Sequence, residues 1–174
     1  MRTILKTERL LLREFIIDDG PFIISLLNSE DWLRFIGDRN VRTAEDATGY
    51  LQKGPLHSYK VHGFGLWAVT TLTDNALIGM CGLLKRDYLE HPDIGFAFLP
   101  GHQGKGFGFE AADATLTYAS STLQLSCVAA ITSKDNVRSI GLLEKLGFQF
   151  VELIHTEKKD ELKLFQTCFG SKSA

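Results

Sequence analysis

A glycine-rich loop in the middle of the chain has the residue types and the position of an anion-binding site. It consists of Gln103-Gly104-Lys105-Gly106-Phe107-Gly108 and follows an apolar run over 94–99. That run predicts a buried strand, and the alanine-rich segment after the loop has helical spacing. The first N–H groups of a helix have no internal acceptor, and the helix dipole adds partial positive charge there. Because glycines let this backbone approach a phosphate closely, the sequence predicts an anion site.

Two common phosphate-binding motifs differ from this loop in their spacing. A Walker loop places Ser or Thr after its lysine, whereas Lys105 is followed by Gly106. A dinucleotide fingerprint follows the first strand of a βαβ unit, whereas these glycines fall at 104, 106 and 108, deep in the chain. A flexible surface loop without a ligand is the alternative.

Length and charge limit the class of protein. A chain of 174 residues fits one domain over residues 1–174 with a proper hydrophobic core. A net charge of −2 argues against a nucleic-acid or membrane-surface partner. The first residues lack the apolar core of a signal peptide, and no apolar run reaches membrane-spanning length, so a cytoplasmic protein is expected.

The three cysteines, Cys81, Cys127 and Cys168, are far apart in sequence and have apolar neighbours. This pattern predicts reduced, buried thiols rather than a disulfide framework or a zinc site. No metal is expected. A catalytic cysteine is the alternative interpretation.

The hydrophobic pattern orders the secondary structure. The predicted strands cover 7–15, 64–72, 76–84, 93–99, 124–132, 148–155 and 161–169. The predicted helices run from Asp18 or Asp19 to Asn28, from Thr43 to Gly54, over about 107–120 and over about 136–146. The segment 31–37 stays unassigned, and 57–63 is interpreted as a polar separator. This order predicts a mixed α/β (α+β) fold with a central, mostly antiparallel sheet of about seven strands and helices on both faces.

Four stretches resemble one enzyme family. The pattern Gln-x-x-Gly-x-Gly at 103–108 resembles the coenzyme A pyrophosphate loop of the GNAT acetyltransferases. Thr7-Glu8-Arg9-Leu10-x-Leu12-Arg13 resembles the opening strand of the branch that contains the Rim-type ribosomal-protein N-terminal acetyltransferases. The run from Ile94 through Ala111, and Asn136-x-x-Ser139 with Leu146-Gly147-Phe148, are similar to later blocks of that branch. The resemblance covers about residues 7–169.

The resemblance implies a GNAT fold and acetyl transfer from acetyl-CoA to an amine by direct attack in a ternary complex. It implies that the strand before the loop separates from its neighbour and pairs with pantetheine, while the loop holds the pyrophosphate. Lys105 either adds charge at the rim or is solvated. The implied coenzyme contacts are Phe96, Ala97, Phe98, Leu99, Gln103, Gly104, Lys105, Gly106, Phe107, Gly108 and Asn136.

The resemblance also implies catalytic and acceptor residues. Asp93 occupies the place of the family's base at the start of the central strand, with Glu90 or a water molecule as alternatives. Many members carry a tyrosine where this chain has Leu143, so Ser139, one turn earlier on the same helical face, becomes the candidate proton donor. Trp32, Arg34 and Phe35 lie where relatives build the acceptor pocket. Asn136 is either a coenzyme contact or only a helix cap.

Two functions compete at this point. The first is an N-acetyltransferase, monomer or homodimer, whose acceptor is a protein N-terminus or a small amine such as a polyamine, an amino acid or an aminoglycoside. The second is an acyl-CoA-binding sensor without catalysis, which the missing tyrosine at Leu143 keeps open.

Overall fold

A twisted sheet of eight strands forms the centre of the computed structural model, which describes residues 2–155 and 161–170. The strand order is β1-β2-β3-β4-β5-β6-β8-β7. Strands β5 and β6 are parallel, and every other neighbouring pair is antiparallel. The strands are β1 Thr3–Lys6, β2 Leu10–Arg13, β3 Leu66–Thr71, β4 Leu77–Leu84, β5 Asp93–Phe98, β6 Cys127–Ser133, β7 Gln149–His155 and β8 Glu161–Cys168.

Six α-helices join these strands, and local sequence signals account for several of their ends. They are α1 Gly20–Leu27, α2 Glu30–Phe35, α3 Ala44–Lys53, α4 Pro55–His62, α5 Phe107–Ser121 and α6 Val137–Lys145. At the start of α3, the Thr43 hydroxyl accepts from the Asp46 N–H while Asp46 accepts from the Thr43 N–H, the predicted capping box. Gly147 follows α6 with φ 87°, a conformation that glycine adopts without strain.

The helices cover both faces of the sheet, as predicted. On one face α5 and α6 pack through Ala111, Leu116 and Leu143. On the other face α1 and α3 pack through Leu26 and Leu51. Side chains alternate along each strand, so the core of the molecule is divided into one layer on each side of the sheet.

The structure departs from the predicted elements near the N-terminus and before β3. Only Leu10–Arg13 of the expected strand over 7–15 forms a strand, β2. It pairs as a hairpin with β1 at Thr3–Lys6, where no strand was predicted, and this raises the strand count of the described residues to eight. The chain turns there because Thr7 N–H donates to the Leu10 carbonyl at 2.9 Å and the Thr7 hydroxyl accepts from the Leu10 N–H. The segment 57–63 lies mostly in α4, and the unassigned segment 31–37 lies mostly in α2. The predicted charged turn at 157–160 lies outside the described residues.

The prediction for the cysteines was wrong for two of the three. Cys127 and Cys168 are joined by a disulfide between β6 and β8, where the two residues are direct cross-strand partners. Cys168 is exposed rather than buried. Cys81 is free and fully buried, as expected. The register that places the first two side by side is a long-range property, since these cysteines are 41 positions apart in the sequence.

Candidate active site

The two parallel strands at the middle of the sheet separate soon after they meet. Their register contains a single pair, Asp93 with Ala129, and the Ala129 N–H donates to the Pro92 carbonyl at 2.9 Å. In contrast, the whole length of β5 pairs with β4, from Asp93 with Leu84 to Phe98 with Gly79. The gap between β5 and β6 therefore opens toward their C-terminal ends and leaves the β5 edge without strand partners.

A cavity of about 1330 Å³ lies at this gap. Among the residues predicted for the site, it is lined by Trp32, Arg34, Phe35, Asp93, Phe96, Ala97, Asn136 and Ser139. The fold thus brings the predicted base, the proton donor and the acceptor residues to one space, although they span over a hundred positions of sequence. Phe98 is buried in the core and lies outside the lining, and the Leu99 N–H donates to the Ile78 carbonyl at 2.9 Å.

The glycine-rich loop lies beyond the C-terminal end of β5, outside the cavity lining. Gly104 and Gly106 have φ of 71° and 83°, so both need the freedom of glycine. Gly106 caps the 15-residue helix α5, whose first intrahelical bond runs from the Glu110 N–H to the Gly106 carbonyl. The preceding N–H groups are left for an anion at the positive end of the helix dipole.

The N-terminal hairpin holds this loop, through residues that the sequence analysis did not assign to the site. Arg9 Nη1 donates to the Lys105 carbonyl at 3.0 Å, and its guanidinium lies 4.7 Å from the Phe107 ring centre. Arg9 Nε also pairs with Glu110 Oε2 at 2.7 Å, and Thr7 donates to Glu110 Oε1 at 2.6 Å. Arg9 and Glu110 both lie in the stretches that resemble the family, and this resemblance could have identified them as residues of the site.

Asp93 is a buried carboxylate, only 1% exposed, at the start of β5. Its partner is Arg86, which the sequence analysis missed and which approaches from the connection before β5. Burial raises the pKa of Asp93 to about 6, because desolvation disfavours its charged form and Arg86 only partly opposes that effect. Glu90, the alternative base, is exposed and lies outside the cavity lining.

Helix α6 presents its first turns to the same cavity. Asn136 is its N-cap, and its Oδ1 accepts from the Ser139 N–H at 3.1 Å, so the capping role is confirmed. Ser139 is half-buried and lines the cavity. Leu143, one turn later on the same face, lines the cavity too and is 1% exposed. A hydroxyl at position 139 is therefore the group that this helical face offers to the cavity.

Comparison with known proteins identifies the architecture. Residues 9–149 match the model of the acetyltransferase (GNAT) domain. The chain belongs to the GNAT acetyltransferase family. It is 30% identical over 151 residues to the uncharacterized N-acetyltransferase YoaA of Bacillus subtilis, covering 86% of this chain and 84% of YoaA. It is an N-acetyltransferase, and members of this family take their acetyl group from acetyl-CoA.

Solved GNAT structures have the same fold. The acetyltransferase from Agrobacterium tumefaciens superposes with a TM-score of 0.81 at 23% identity, over 96% of this chain and 94% of that one. RimL, the ribosomal L7/L12 alpha-N-protein acetyltransferase in complex with coenzyme A, superposes with a TM-score of 0.76 at 14% identity, over 96% and 98%. At these identities the likeness concerns the fold.

Ion pairs connect helix α2 to the residues at the start of α6. Arg138 Nη2 lies 3.3 Å from Asp31 Oδ2, and its Nη1 donates to Gln103 Oε1 at 2.5 Å. Arg34 lies 3.6 Å from Asp135. These contacts join α2, the helix of the predicted acceptor residues, to the start of α6, and Arg138 also joins α6 to Gln103 of the glycine-rich loop.

Trp32 and Phe35 form the apolar part of the predicted acceptor region. Trp32 is 6% exposed, and its Nε1 has no hydrogen-bond partner among the residues that the structure describes. The Phe35 ring lies under the Arg34 guanidinium at 4.8 Å.

Two further sequence expectations concern the rest of the chain. Within residues 2–155 and 161–170, no three His, Cys, Asp or Glu side chains are grouped as metal ligands would be. In the same part of the chain, no helix has the length and apolar character needed to cross a membrane.

Proposed function

We propose that this enzyme transfers the acetyl group of acetyl-CoA to a primary amine, with a protein N-terminal α-amine as the favoured acceptor. The observation that carries the proposal is the single registered pair between β5 and β6, which opens one cavity lined by both Asp93 and Ser139. Attack is direct, within a ternary complex, because the base and the coenzyme cleft share that cavity.

The residues present fit acetyl-CoA. The pyrophosphate binds the N–H groups of residues 104–108 at the start of α5, and Lys105, which is exposed, adds charge at the rim. The Gln103 N–H, expected to take part, donates instead to the Pro100 carbonyl at 3.3 Å. The pantetheine arm pairs with the free edge of β5 at Phe96 and Ala97. The Asn136 side chain borders the same cleft while it caps α6.

Asp93 acts as the general base. A pKa of about 6 leaves it ionised at neutral pH, and close enough to that pH to accept a proton efficiently. It takes the proton from the attacking ammonium or amine, directly or through one water molecule. Trp32, Arg34 and Phe35 line the same cavity as Asp93 and hold the acceptor there.

The thioester carbonyl is polarised by backbone N–H groups of β5, which are fixed in direction before the substrate arrives. As the C–S bond breaks, the Ser139 hydroxyl hydrogen-bonds the departing sulfur. Leu143 lacks any proton to donate, so the tyrosine route of other members is closed here.

An α-amine is the easier substrate. It titrates near ~8, whereas a lysine side chain titrates near ~10.4 and is neutral only about once in 2,500 at pH 7. A positioned base contributes ~10²–10⁴-fold, so lysine would use nearly all of that factor to compensate for its pKa. RimL, the structural neighbour named above, is a ribosomal L7/L12 alpha-N-protein acetyltransferase, which agrees with this choice.

The proposed location is the cytoplasm, because acetyl-CoA is made and used inside cells. The argument from reduced cysteines no longer supports it, since Cys127 and Cys168 are paired in the structure. We propose a monomer or homodimer without a nucleic-acid or membrane partner.

The test is a mass-shift screen with acetyl-CoA against N-terminal peptides, polyamines, amino acids and aminoglycosides. Acetylation of α-amines, with free thiol released in equal amount, is the expected result. Efficient acetylation of internal lysines in peptides with blocked N-termini would contradict the α-amine preference.

A second candidate is favoured by Leu143, which removes the common proton donor. A sensor that binds acetyl-CoA without catalysis would give coenzyme binding in calorimetry but no thiol release with any amine. The same experiment therefore separates the two functions.

A further inference from the structure

The acceptor side of the cavity carries more positive charge than the composition of the chain suggests. The whole chain has a net charge of −2. The ionisable residues that line the cavity are the cations Arg34, Arg39, Lys85 and Arg86 and the carboxylates Asp87, Asp93 and Glu161. The lining of the cavity therefore has one more cation than carboxylates, although the chain as a whole has an excess of carboxylates.

Ion pairs within the protein account for most of these charges. Arg34 pairs with Asp135, and Arg86 pairs with Asp93. Glu161 pairs with Lys134. Within residues 2–155 and 161–170, no carboxylate lies within 4.0 Å of Arg39 or Lys85. Lys85 Nζ donates to the Glu90 backbone carbonyl at 3.3 Å, a neutral partner that leaves its charge uncompensated. Asp87 of the same lining is exposed and, among the described residues, also without an ion pair, so the two cations leave a net charge of +1 for a ligand.

Both cations line the same cavity as Tyr50. Tyr50 and Lys85 line the main cavity and also a smaller adjoining one of about 270 Å³. Arg39 lines the main cavity, and its charge opposes the rise that burial causes in the pKa of the Tyr50 hydroxyl, so it lies within electrostatic reach of that group. A phenolic hydroxyl and two cations thus line the same cavity, and all three can donate hydrogen bonds.

The coenzyme's pyrophosphate does not explain Lys85. The pyrophosphate loop follows the C-terminal end of β5, whereas Lys85 directly follows β4 and lies beside the N-terminal end of β5. A strand of six residues spans ~20 Å. A charge at the other end of β5 is too far away for a direct contact with the pyrophosphate.

We propose that Arg39, Tyr50 and Lys85 form a subsite for a carboxylate carried by the acceptor. This inference rests on the proposed function and names its substrate class: amines with an acidic group beside them, in proteins an N-terminus followed by Asp or Glu. The amine approaches Asp93 while the acidic group is held by the two cations. Acceptors with a second positive charge, such as polyamines and aminoglycosides, are repelled by the same two cations.

Three tripeptide amides with free α-amines test the subsite: Ala-Glu-Ala, Ala-Gln-Ala and Ala-Lys-Ala. All three peptides present the α-amine of an N-terminal alanine, and they differ in the charge of the second side chain. We expect kcat/KM to fall in the order Glu, Gln, Lys, with about tenfold between the first and the last at low salt. The difference should shrink as the ionic strength rises, because exposed charges are screened.

A double charge reversal, Arg39→Glu with Lys85→Glu, should invert the order, so that the Lys peptide becomes the best of the three. The matched control is Lys6→Glu with Lys60→Glu, which changes the net charge equally at two exposed positions that line neither cavity. The control should keep the order of the unmodified enzyme.

Peptide binding to the coenzyme A-saturated protein, measured by calorimetry, gives a second readout that needs no turnover. Tighter binding of the Glu peptide without any acetylation would overturn the proposed function and support the subsite. Equal kcat/KM and equal affinity for the three peptides, or an order that the double reversal leaves unchanged, would overturn the subsite while acetyl transfer stands.

Discussion

Arg86 donates its Nε hydrogen to both carboxylate oxygens of Asp93, at 2.9 and 3.1 Å, at the start of the central strand. The arginine Nη1 also donates to the Tyr88 hydroxyl at 3.3 Å. Asp93 is almost fully buried, whereas the Arg86 side chain is 31% exposed. Burial raises the pKa of this carboxyl and the guanidinium lowers it, so the protein adjusts a base with two opposing effects.

The pH profile of kcat/KM should depend on this pair. Because Asp93 must be ionised to accept a proton, activity should rise with pH through about 6, the pKa of Asp93, before the acceptor amine titrates at higher pH. Asp93→Asn should lower kcat/KM by ~10²–10⁴-fold and remove this limb. Arg86→Gln should move the limb to higher pH, since the opposing positive charge is gone. A limb that neither variant changes would exclude Asp93 as the base.

Ser139→Ala should lower kcat by about 10-fold to 100-fold, or ~1.4–2.7 kcal/mol, with little change in the acetyl-CoA KM. The effect is modest because a thiol with a pKa near ~8.5 is already a fair leaving group. The Asn136 cap bonds the backbone N–H of residue 139, so this change leaves the cap in place.

Steady-state kinetics and circular dichroism of Ser139→Ala check that prediction. Asn136→Ala is the comparison, since it removes the cap itself and should cost ~0.5–2 kcal/mol of stability. Full kcat with weaker coenzyme binding in Ser139→Ala would make Ser139 a binding residue instead.

Gly106→Ala should weaken coenzyme A binding about tenfold, or ~1.4 kcal/mol. A Cβ there would be 3.2 Å from Arg9 Nη2, and φ is +83°. Gly106→Val adds a branched side chain to a backbone that L-residues adopt at a cost of ~1–2 kcal/mol, so it should also lose stability. Gly101→Ala is the control, because nothing lies within 4 Å of its Cβ position in the same connection. Equal affinities in calorimetry for both alanine variants would contradict the loop assignment.

Glu110→Gln should raise the Kd for coenzyme A by up to about fivefold, because it removes the charge that holds Arg9 against the loop. An ion pair with one partner 45% exposed contributes ~1 kcal/mol or less, which limits the effect. Arg2→Gln breaks the 3.7 Å pair with Glu14 in the same N-terminal region and should leave the Kd unchanged. If Glu110→Gln and Arg2→Gln have the same Kd for coenzyme A in calorimetry, then Arg9 does not position the loop.

Reduction should lower the melting temperature. The Cys127–Cys168 bond closes a separation of 41 residues, and such a cross-link contributes ~2–4 kcal/mol in the chain-entropy model. For a chain of this size the shift is roughly 5–15 °C. The double variant Cys127→Ser with Cys168→Ser should have the melting temperature of the reduced protein, with or without reductant. Cys81→Ala should keep a melting temperature that falls on reduction. Alkylation of the denatured, unreduced protein should label Cys81 alone, and labelling at all three cysteines would contradict the disulfide.

The sequence by itself determined the features that depend on short stretches of chain. Glycine spacing at 103–108 between an apolar run and a helix predicted the loop that we propose as the coenzyme site, and the three-residue spacing of Thr43 and Asp46 located a helix start. The alternation of apolar strands and helices predicted the mixed sheet with both faces covered. These signals are legible because they arise from one or two turns of backbone.

The tertiary structure alone decided the contacts that join distant segments. Arg9 meets Glu110 across 101 positions, and Cys127 meets Cys168 because β6 and β8 share one register. Arg86 reaches Asp93 because β4 and β5 pair at Leu84 and Asp93, which brings the connection between them back to the strand start. The separation of β5 from β6 likewise depends on how the whole sheet twists and packs. No local pattern encodes such pairings, since strand register and helix packing are set by the combined burial of many residues.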